Sequence, residues 1–205
     1  MKVYLIRHGR SVDAEQNLSQ GLDSGLSDRG RKEVLELKKE VYDLIKFDKV
    51  YHSALPRAAM TAKLLFGERN VDLELLDFLH EYERPSRLYG VAHEVVQDYW
   101  EENRDNKYKN DWKPEDGESF NEIVKRADSL MGKISEDRKH GIVGVVGHGI
   151  FFKHLVGRWL LKENYRPAIF FDMIWRFQIG NGEYTLLDID GNGEVRVEKW
   201  SSRVL

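Results

Sequence analysis

The sequence predicts an α/β protein, a three-layer sandwich whose central sheet is mostly parallel, has an antiparallel edge, and carries helices on both faces. Over most of the 205 residues, short apolar runs alternate with segments of helical periodicity. Near the carboxyl end, Asn-Gly and Asp-Gly steps separate extended runs, which is typical of hairpins. Apolar residues make up 41% of the chain, enough to fill the core that such layers require.

Three short apolar runs bounded by polar residues predict buried strands. They are Lys2–Ile6, Asp48–Tyr51 and Ile142–Val146. Three further runs, Met173–Ile179, Tyr184–Ile189 and Glu194–Trp200, are predicted to be strands of the antiparallel edge.

Four segments predict helices. Ser27 is a suitable cap for the first, Pro56 suits the first turn of the second, and Ser119 with Glu122 forms a capping-box pattern before the third. The fourth covers Phe151–Leu161. The apolar faces expected from helical spacing are Val34, Leu37, Val41, Leu44 and Ile45 in the first helix, Ala58, Ala59, Ala62, Leu65 and Phe66 in the second, and Ile123, Ala127, Leu130, Met131 and Ile134 in the third.

The chain is predicted to form one domain, residues 1–205, with a cap-like excursion at about residues 80–119. The polar stretch 98–119 within it holds four aromatic residues, Tyr99, Trp100, Tyr108 and Trp112. We expect these rings to pack the excursion onto the body of the protein rather than to bind a base or a lipid.

Composition excludes several classes of protein. The 32 basic and 35 acidic residues give a net charge of -3, which argues against binding of nucleic acid or acidic lipid by bulk charge. The sequence contains no cysteine, so disulfides, thiol nucleophiles and cysteine-ligated metals are excluded. The first apolar run has four residues, whereas a signal peptide needs about 7–15, and we therefore predict a soluble, cytoplasmic protein. Its oligomeric state is left open.

Cationic and imidazole side chains follow the predicted parallel strands. Arg7 and His8 follow the first, Arg57 comes shortly after the second, and His148 follows the run that begins at Ile142. Ligands of open α/β sheets bind beyond the carboxyl ends of the strands. Arginine matches phosphate oxygens, and histidine can donate, accept or attack near neutral pH. This edge of the sheet therefore suits a phosphate group.

Four motifs in order along residues 1–155 carry a family resemblance. They are Arg7-His8-Gly9, the segment Ser53–Ala62 with the pattern Ser-x-Leu-x-Arg-Ala-x-x-Thr-Ala, Gly117-Glu118-Ser119, and Gly147-His148-Gly149. Together they resemble the histidine phosphatase superfamily, which includes the cofactor-dependent phosphoglycerate mutases.

This resemblance implies a metal-independent phosphatase that needs no cofactor and acts on a small phosphomonoester. His8 would be the nucleophile and would form a phosphohistidine. Arg7, Arg57 and His148 would bind the phosphoryl oxygens and neutralise their charge. A carboxylic acid would protonate the leaving oxygen and then activate water. Glu81, in Leu79-His80-Glu81, fits the family's segment for this acid, with Glu83 as the second choice.

Two positions depart from the family pattern. Arg10 stands where the family commonly has Glu or Gln, and is expected to add positive charge near the substrate. Ala14 replaces the usual Asn, so Ser11 is expected to contact the substrate instead, with Asn17 as an alternative. These departures leave the substrate open.

Two alternatives remain at this point. One is a cofactor-dependent phosphoglycerate mutase, although mutases are expected to be longer than 205 residues. The other is a regulatory module that binds a phosphate group or a phosphoprotein without turnover. The position of the acid discriminates between turnover and binding.

Overall fold

The computed structural model describes residues 1–137 and 139–203 and contains a six-stranded sheet in the order β3-β2-β4-β1-β5-β6. The strands are β1 (Lys2–Arg7), β2 (Lys49–His52), β3 (Asp72–Leu75), β4 (Ile142–Gly147), β5 (Tyr184–Ile189) and β6 (Val195–Ser202). The first four are parallel to one another, and β5 and β6 form the antiparallel edge beside β1. The predicted mixed sheet is confirmed.

The helices lie between the strands, as the alternating pattern predicts. They are α1 (Val12–Glu15), α2 (Asp28–Glu40), α3 (Pro56–Phe66), α4 (His93–Glu102), α5 (Phe120–Glu136), α6 (Gly149–Leu161) and α7 (Pro167–Asp172), with short 3₁₀ turns at Tyr42–Leu44, Asp77–Leu79, Ser86–Leu88, Lys162–Asn164 and Ile174–Arg176. The predicted caps form: Ser27 accepts a hydrogen bond from the Gly30 amide, and Ser119 and Glu122 make both bonds of a capping box.

Two apolar cores, one on each face of the sheet, hold the layers together. Because successive strand residues point to opposite faces, Val3 and Leu5 belong to the core that includes α5 and α6. Tyr4 and Ile6 belong to the core that includes α2 and α3. The helices therefore cover both faces, and β1 is buried on both sides.

The prediction of a strand at Met173–Ile179 is wrong. The segment begins at Met173, directly after α7, and continues as a 3₁₀ turn at Ile174–Arg176 and an extended stretch outside the sheet. A Cβ on Gly157 would lie 2.7 Å from Ile174 Cδ1, so this glycine lets Ile174 pack closely on α6. Both edges of β1 are already paired, with β4 and β5, and offer no place for the segment.

The helix α2 ends before the last residues of the apolar face that the sequence predicts for it. It ends at Glu40, and Leu44 in the following 3₁₀ turn is 68% exposed. The Tyr42 hydroxyl donates to the Gly182 carbonyl at 2.6 Å, which fixes this turn against the loop before β5. The sequence pattern also did not predict β3, α1, α4 or α7.

The excursion at residues 80–119 contains α4 and the 3₁₀ turn Ser86–Leu88. That the whole chain is one domain stays a prediction. Among the residues described, no helix has both the length and the hydropathy needed to cross a bilayer.

Candidate active site

The carboxyl ends of β1, β4 and β2 bring two histidines and a serine together. The His8 amide donates to the Gly147 carbonyl at 2.9 Å, and the Ser53 amide donates to the Val146 carbonyl at 3.0 Å. The imidazole rings of His8 and His148 consequently lie 5.1 Å apart, centre to centre. His8, His148 and Ser53 are all fully buried by the surrounding protein.

The His8 imidazole is held in one tautomer. Its Nδ1 lies 2.7 Å from the Gly9 carbonyl oxygen, which can only accept, so Nδ1 carries the proton and donates. Its Nε2 therefore has a free lone pair and, among the residues described, no hydrogen-bond partner. Burial, followed by the charges of Arg57 and Arg7, lowers the pKa of His8 well below its ordinary value. The ring is thus neutral and Nε2 is available as a nucleophile.

His148 is oriented by Ser53. The His148 Nε2 lies 2.9 Å from Ser53 Oγ, which itself accepts a bond from the Leu55 amide. The serine hydroxyl has one proton to donate, and when it donates to Nε2 the imidazole proton resides on Nδ1, which has no partner among the described residues. Burial, then the charges of His8 and Arg57, lowers the pKa of His148 well below its ordinary value. His148 can therefore offer a neutral N–H donor.

Two arginines supply the positive charge of the site. Arg57, in the first turn of α3, is almost completely buried and donates from Nη1 to the Gly21 carbonyl at 2.8 Å. Burial lowers the pKa of Arg57 to about 10, so the guanidinium stays charged at neutral pH. Arg7 donates from Nη1 to the Ile179 carbonyl, and burial lowers its pKa as well, opposed by the charge of Glu81. Within the described chain, the Nε atoms of both arginines lack partners.

Glycine and threonine connect His8 to Arg57. A Cβ on Gly9 would lie 2.5 Å from Val34 Cγ2, so the absence of a side chain allows α2 to pack beside His8. The Gly9 amide donates to Thr61 Oγ1 at 3.0 Å, and that hydroxyl donates to the Arg57 carbonyl at 2.7 Å. The Arg-His-Gly motif and the arginine of α3 are thereby held in a fixed relation.

The two candidate acids have different surroundings. Glu81 lies at the amino end of α6, where Oε1 accepts from the Phe151 amide at 2.9 Å and Oε2 accepts from the Ile150 amide at 3.2 Å. It lines the same cavity as Arg7. Glu83 is nearly half exposed, lies 3.5 Å from His80 Nδ1, and is not among the residues lining that cavity. The geometry favours Glu81.

A buried ion pair holds the segment that carries Glu81. Glu118, from the Gly-Glu-Ser motif, pairs with Arg126 of α5 and accepts from the Glu83 amide at 2.9 Å. Arg126 also donates to the carbonyls of Phe78 at 2.9 Å and His80 at 2.8 Å. Glu118 and Arg126 together fix the backbone on both sides of Glu81.

Ser11 and Arg10 lie beside the site but are engaged with other groups. Ser11 is fully buried and caps α1 by accepting from the Ala14 amide at 3.2 Å. Arg10 Nε lies 3.8 Å from a carboxylate oxygen of Glu33, and Arg10 does not line the cavity. Direct binding of substrate by these two residues stays a prediction.

A cavity of about 580 Å³ starts at Arg7, Glu81 and Gly149 and extends under the excursion. Its lining includes seven aromatic residues, Tyr82, Trp100, Trp112, Phe120, Phe170, Phe171 and Trp175. The cationic residues Arg84, Lys107, Lys109 and Lys153 line it as well. Trp100 packs against Tyr82 and Trp112 within the excursion and against Phe171 outside it, and it also lines this cavity.

Sequence reasoning missed Lys153 and most of the aromatic lining. One signal was present: Lys153 interrupts the apolar residues of α6 at a position that the structure buries. No group of three or more His, Asp or Glu side chains within the described part of the chain could hold a metal ion.

The sheet order, the paired histidines and the two arginines define a class of protein, and comparison with known families identifies it. The chain belongs to the histidine phosphatase superfamily (branch 1), whose family model matches residues 3–203. The family predicted from the sequence motifs is confirmed.

Individual relatives are similar over different lengths of the chain. The adenosylcobalamin/alpha-ribazole phosphatase of Escherichia coli is 27% identical over 93% of this chain and 91% of that protein. The 2,3-bisphosphoglycerate-dependent phosphoglycerate mutase of Bartonella henselae is 34% identical, over 60% of this chain and 62% of that protein. A mycobacterial glucosyl-3-phosphoglycerate phosphatase has the same fold, with a TM-score of 0.82, 21% identity, and coverage of 98% of this chain and 99% of that one.

Proposed function

We propose that the protein is a metal-independent phosphatase that hydrolyses a small phosphomonoester through a phosphohistidine at His8. The observation that carries the proposal is the state of the His8 ring: Nδ1 donates to the Gly9 carbonyl, and a buried, neutral Nε2 has a free lone pair. A nucleophile needs that lone pair at neutral pH. A cytoplasmic location stays a prediction from the sequence.

In the first half of the reaction, His8 Nε2 attacks phosphorus while the bond from phosphorus to the leaving oxygen breaks. Arg7, Arg57 and His148 surround this position with positive charge and N–H donors, which stabilise the charge on the phosphoryl oxygens in the transition state. Ser53 supports this role because it holds His148 with Nδ1 free to donate.

Glu81 acts as acid and then as base in this proposal. As a carboxylic acid it gives its proton to the leaving oxygen, and as a carboxylate it takes a proton from the water that attacks phosphorus. The second attack breaks the bond between phosphorus and Nε2, releases inorganic phosphate and restores His8. Its place at the cavity beside Arg7 supports Glu81 over Glu83.

The mutase alternative has weaker support. The mutase relative matches 60% of this chain, whereas the alpha-ribazole phosphatase relative matches 93%. A mutase predicts strong stimulation by a bisphosphorylated glycerate, and hydrolysis without that stimulation would reject it. The non-catalytic binding module predicts phosphate binding without turnover.

Trapping of the phosphoenzyme tests the proposal. Wild-type protein quenched during turnover of 4-nitrophenyl phosphate should carry one phosphoryl group on His8, labile in acid and stable in base. His8→Ala should abolish the adduct and lower kcat by about 10⁴-fold or more, as loss of a nucleophile typically does. His140→Ala serves as the control, since His140 lies outside the site. Turnover that persists in His8→Ala would refute the nucleophile assignment.

A further inference from the structure

Lys153 is a buried ammonium group in the wall of the cavity. Only 7% of the residue is exposed, and Nζ donates to the Trp175 carbonyl at 2.8 Å while lying 4.9 Å from the centre of the Trp175 ring. Among the residues that the structure describes, none provides a carboxylate within ion-pair distance of this Nζ. Within the described chain Lys153 therefore has no ion-pair partner, and the charge of Glu81 acts on it only at longer range.

Lys49, a second buried lysine, differs from Lys153 because its charge is neutralised by ion pairs. Lys49 is equally buried, and its ammonium forms ion pairs with Asp72 and Glu74. Lysine is rarely buried without such a partner, because the ammonium loses its hydration. For Lys153, burial and the nearby charge of Arg7 lower the pKa to about 8, which is the physical sign of that cost.

The location of Lys153 connects this unpaired charge to the substrate. Lys153 lines the same cavity as Arg7 and Glu81. Because Glu81 is the group proposed to protonate the leaving oxygen, the proposed function directs the leaving group into this cavity. The cavity of about 580 Å³ is far larger than a phosphate group and within the range of small-molecule sites, roughly 300–1,000 Å³. Lys153 itself is buried, and an ion pair is stronger at a buried ammonium than at one in bulk water.

We propose that Lys153 binds a second anionic group, a carboxylate or a phosphate, carried by the leaving group of the substrate. The inference rests on the proposed function, which places the scissile phosphate at His8. After its bond to the Trp175 carbonyl, the ammonium has two further N–H donors for an anion. The substrate class is thus a phosphomonoester with an apolar body and a second negative charge.

Binding of matched, non-hydrolysable ligands tests the proposal. Calorimetry would compare benzylphosphonate with its 3-carboxy and 4-carboxy derivatives, and with the analogue carrying a second phosphonate on the ring. Wild-type protein should bind at least one of the doubly anionic ligands on the order of 10- to 100-fold more tightly than benzylphosphonate, as expected for a charge-assisted hydrogen bond to a buried ammonium.

Substitution then assigns the preference to Lys153. Lys153→Met keeps the length of the side chain and should remove the preference, measured as the ratio of the affinities for the doubly anionic ligands and for benzylphosphonate within the same variant. Lys125→Met, an exposed lysine of α5, is the matched control and should retain the preference. Equal affinity of the wild type for all ligands would overturn the proposal, and this measurement does not depend on the folding of any variant. Retention of the preference in Lys153→Met would overturn it too.

Hydrolysis of benzyl phosphate by the same preparations separates this inference from the proposed function. Turnover without a preference for the second charge would refute the role of Lys153 and leave the phosphatase intact. A preference without turnover would refute the phosphatase and leave Lys153 as an anion-binding residue. Comparison of the carboxy and phosphonate ligands shows which of the two anions the site accepts.

Discussion

The pocket at the strand ends, formed by Arg7, His8, Ser53, Arg57 and His148, and the cavity beneath the excursion differ in how they are built. The pocket is formed by residues that follow parallel strands, and its imidazoles are fixed by hydrogen bonds to Gly9 and Ser53. The cavity is lined by side chains from α4, α6, α7 and the loops around them. The pocket suits a reaction common to many phosphomonoesters, whereas the cavity suits selection among leaving groups.

The largest predicted effect is a loss of stability on substitution of the ion pair that joins the two regions. Glu118 and Arg126 form a buried pair that holds the segment from Phe78 to Glu83 between the pocket and the cavity. Glu118→Ala leaves the Arg126 charge buried and unpaired and should destabilise the protein by about 3–5 kcal/mol. The measurement is urea unfolding at neutral pH.

An exposed ion pair provides the control for this prediction. Glu163 pairs with Arg158 but its side chain is 89% exposed, so Glu163→Ala should change the free energy of unfolding by about 0–1 kcal/mol. If both variants lost stability equally, the pair between Glu118 and Arg126 would not be a structural link between the regions.

A substitution in the pocket should act on every substrate alike. Arg57→Met removes a buried cation that the proposed mechanism uses to bind the shared phosphoryl group, and kcat/KM should fall by about 10²–10³-fold. Because the cavity is untouched, the ratio of kcat/KM between two substrates with different leaving groups should stay constant. Arg29→Met, at an exposed arginine of α2, serves as the control. A ratio that changed with Arg57→Met would show that the two regions are not separable.

The pH dependence of the free energy of unfolding reports how strongly the histidines of each region are buried. Burial lowers the pKa of His8 and His148 in the pocket and of His154 at the cavity wall. Below the unfolded value of about 6.5, the unfolded chain binds protons that the folded protein does not. Stability should therefore be fully present above about pH 6.5 and fall below it, by about 1.4 kcal/mol per pH unit for each histidine.

Urea unfolding between pH 7.5 and pH 5.5 checks this slope. His154→Gln should reduce the slope of the free energy of unfolding against pH by about 1.4 kcal/mol per pH unit, the contribution of one histidine. Phe171→Leu changes the same cavity wall without removing a titratable group and should leave the slope unchanged. An unchanged slope in His154→Gln would mean that the cavity wall is not as dry as the pocket.

The pocket was far more predictable from sequence than the cavity. Apolar strands followed at once by Arg7, His8 and His148 place those side chains at one sheet edge, because parallel strands all end on the same side. The tautomer of His8 was not predictable, since it depends on the direction of the Gly9 carbonyl. The binding roles of Ser11 and Arg10 stay predictions.

The cavity lacks such short-range signals. Met173, Trp175 and Phe177 alternate along the chain as in a strand, yet all three are 44–50% exposed and the segment docks through Ile174 against α6. Lys153 of α6 and Trp100 of α4 line the same cavity only because the tertiary fold brings the two helices together. Periodicity describes one element at a time, and these contacts join several.

The hydrogen bond from the His8 amide to the Gly147 carbonyl has a consequence for how the protein acquires its site. It joins β1, near the start of the chain, to β4, which follows five of the seven helices. Parallel pairing between such distant segments is slow, because a long loop must close before any contact rewards it. A folding species with formed helices but unpaired β1 and β4 would hold its two histidines apart, and recovery of catalysis during refolding would report completion of the sheet.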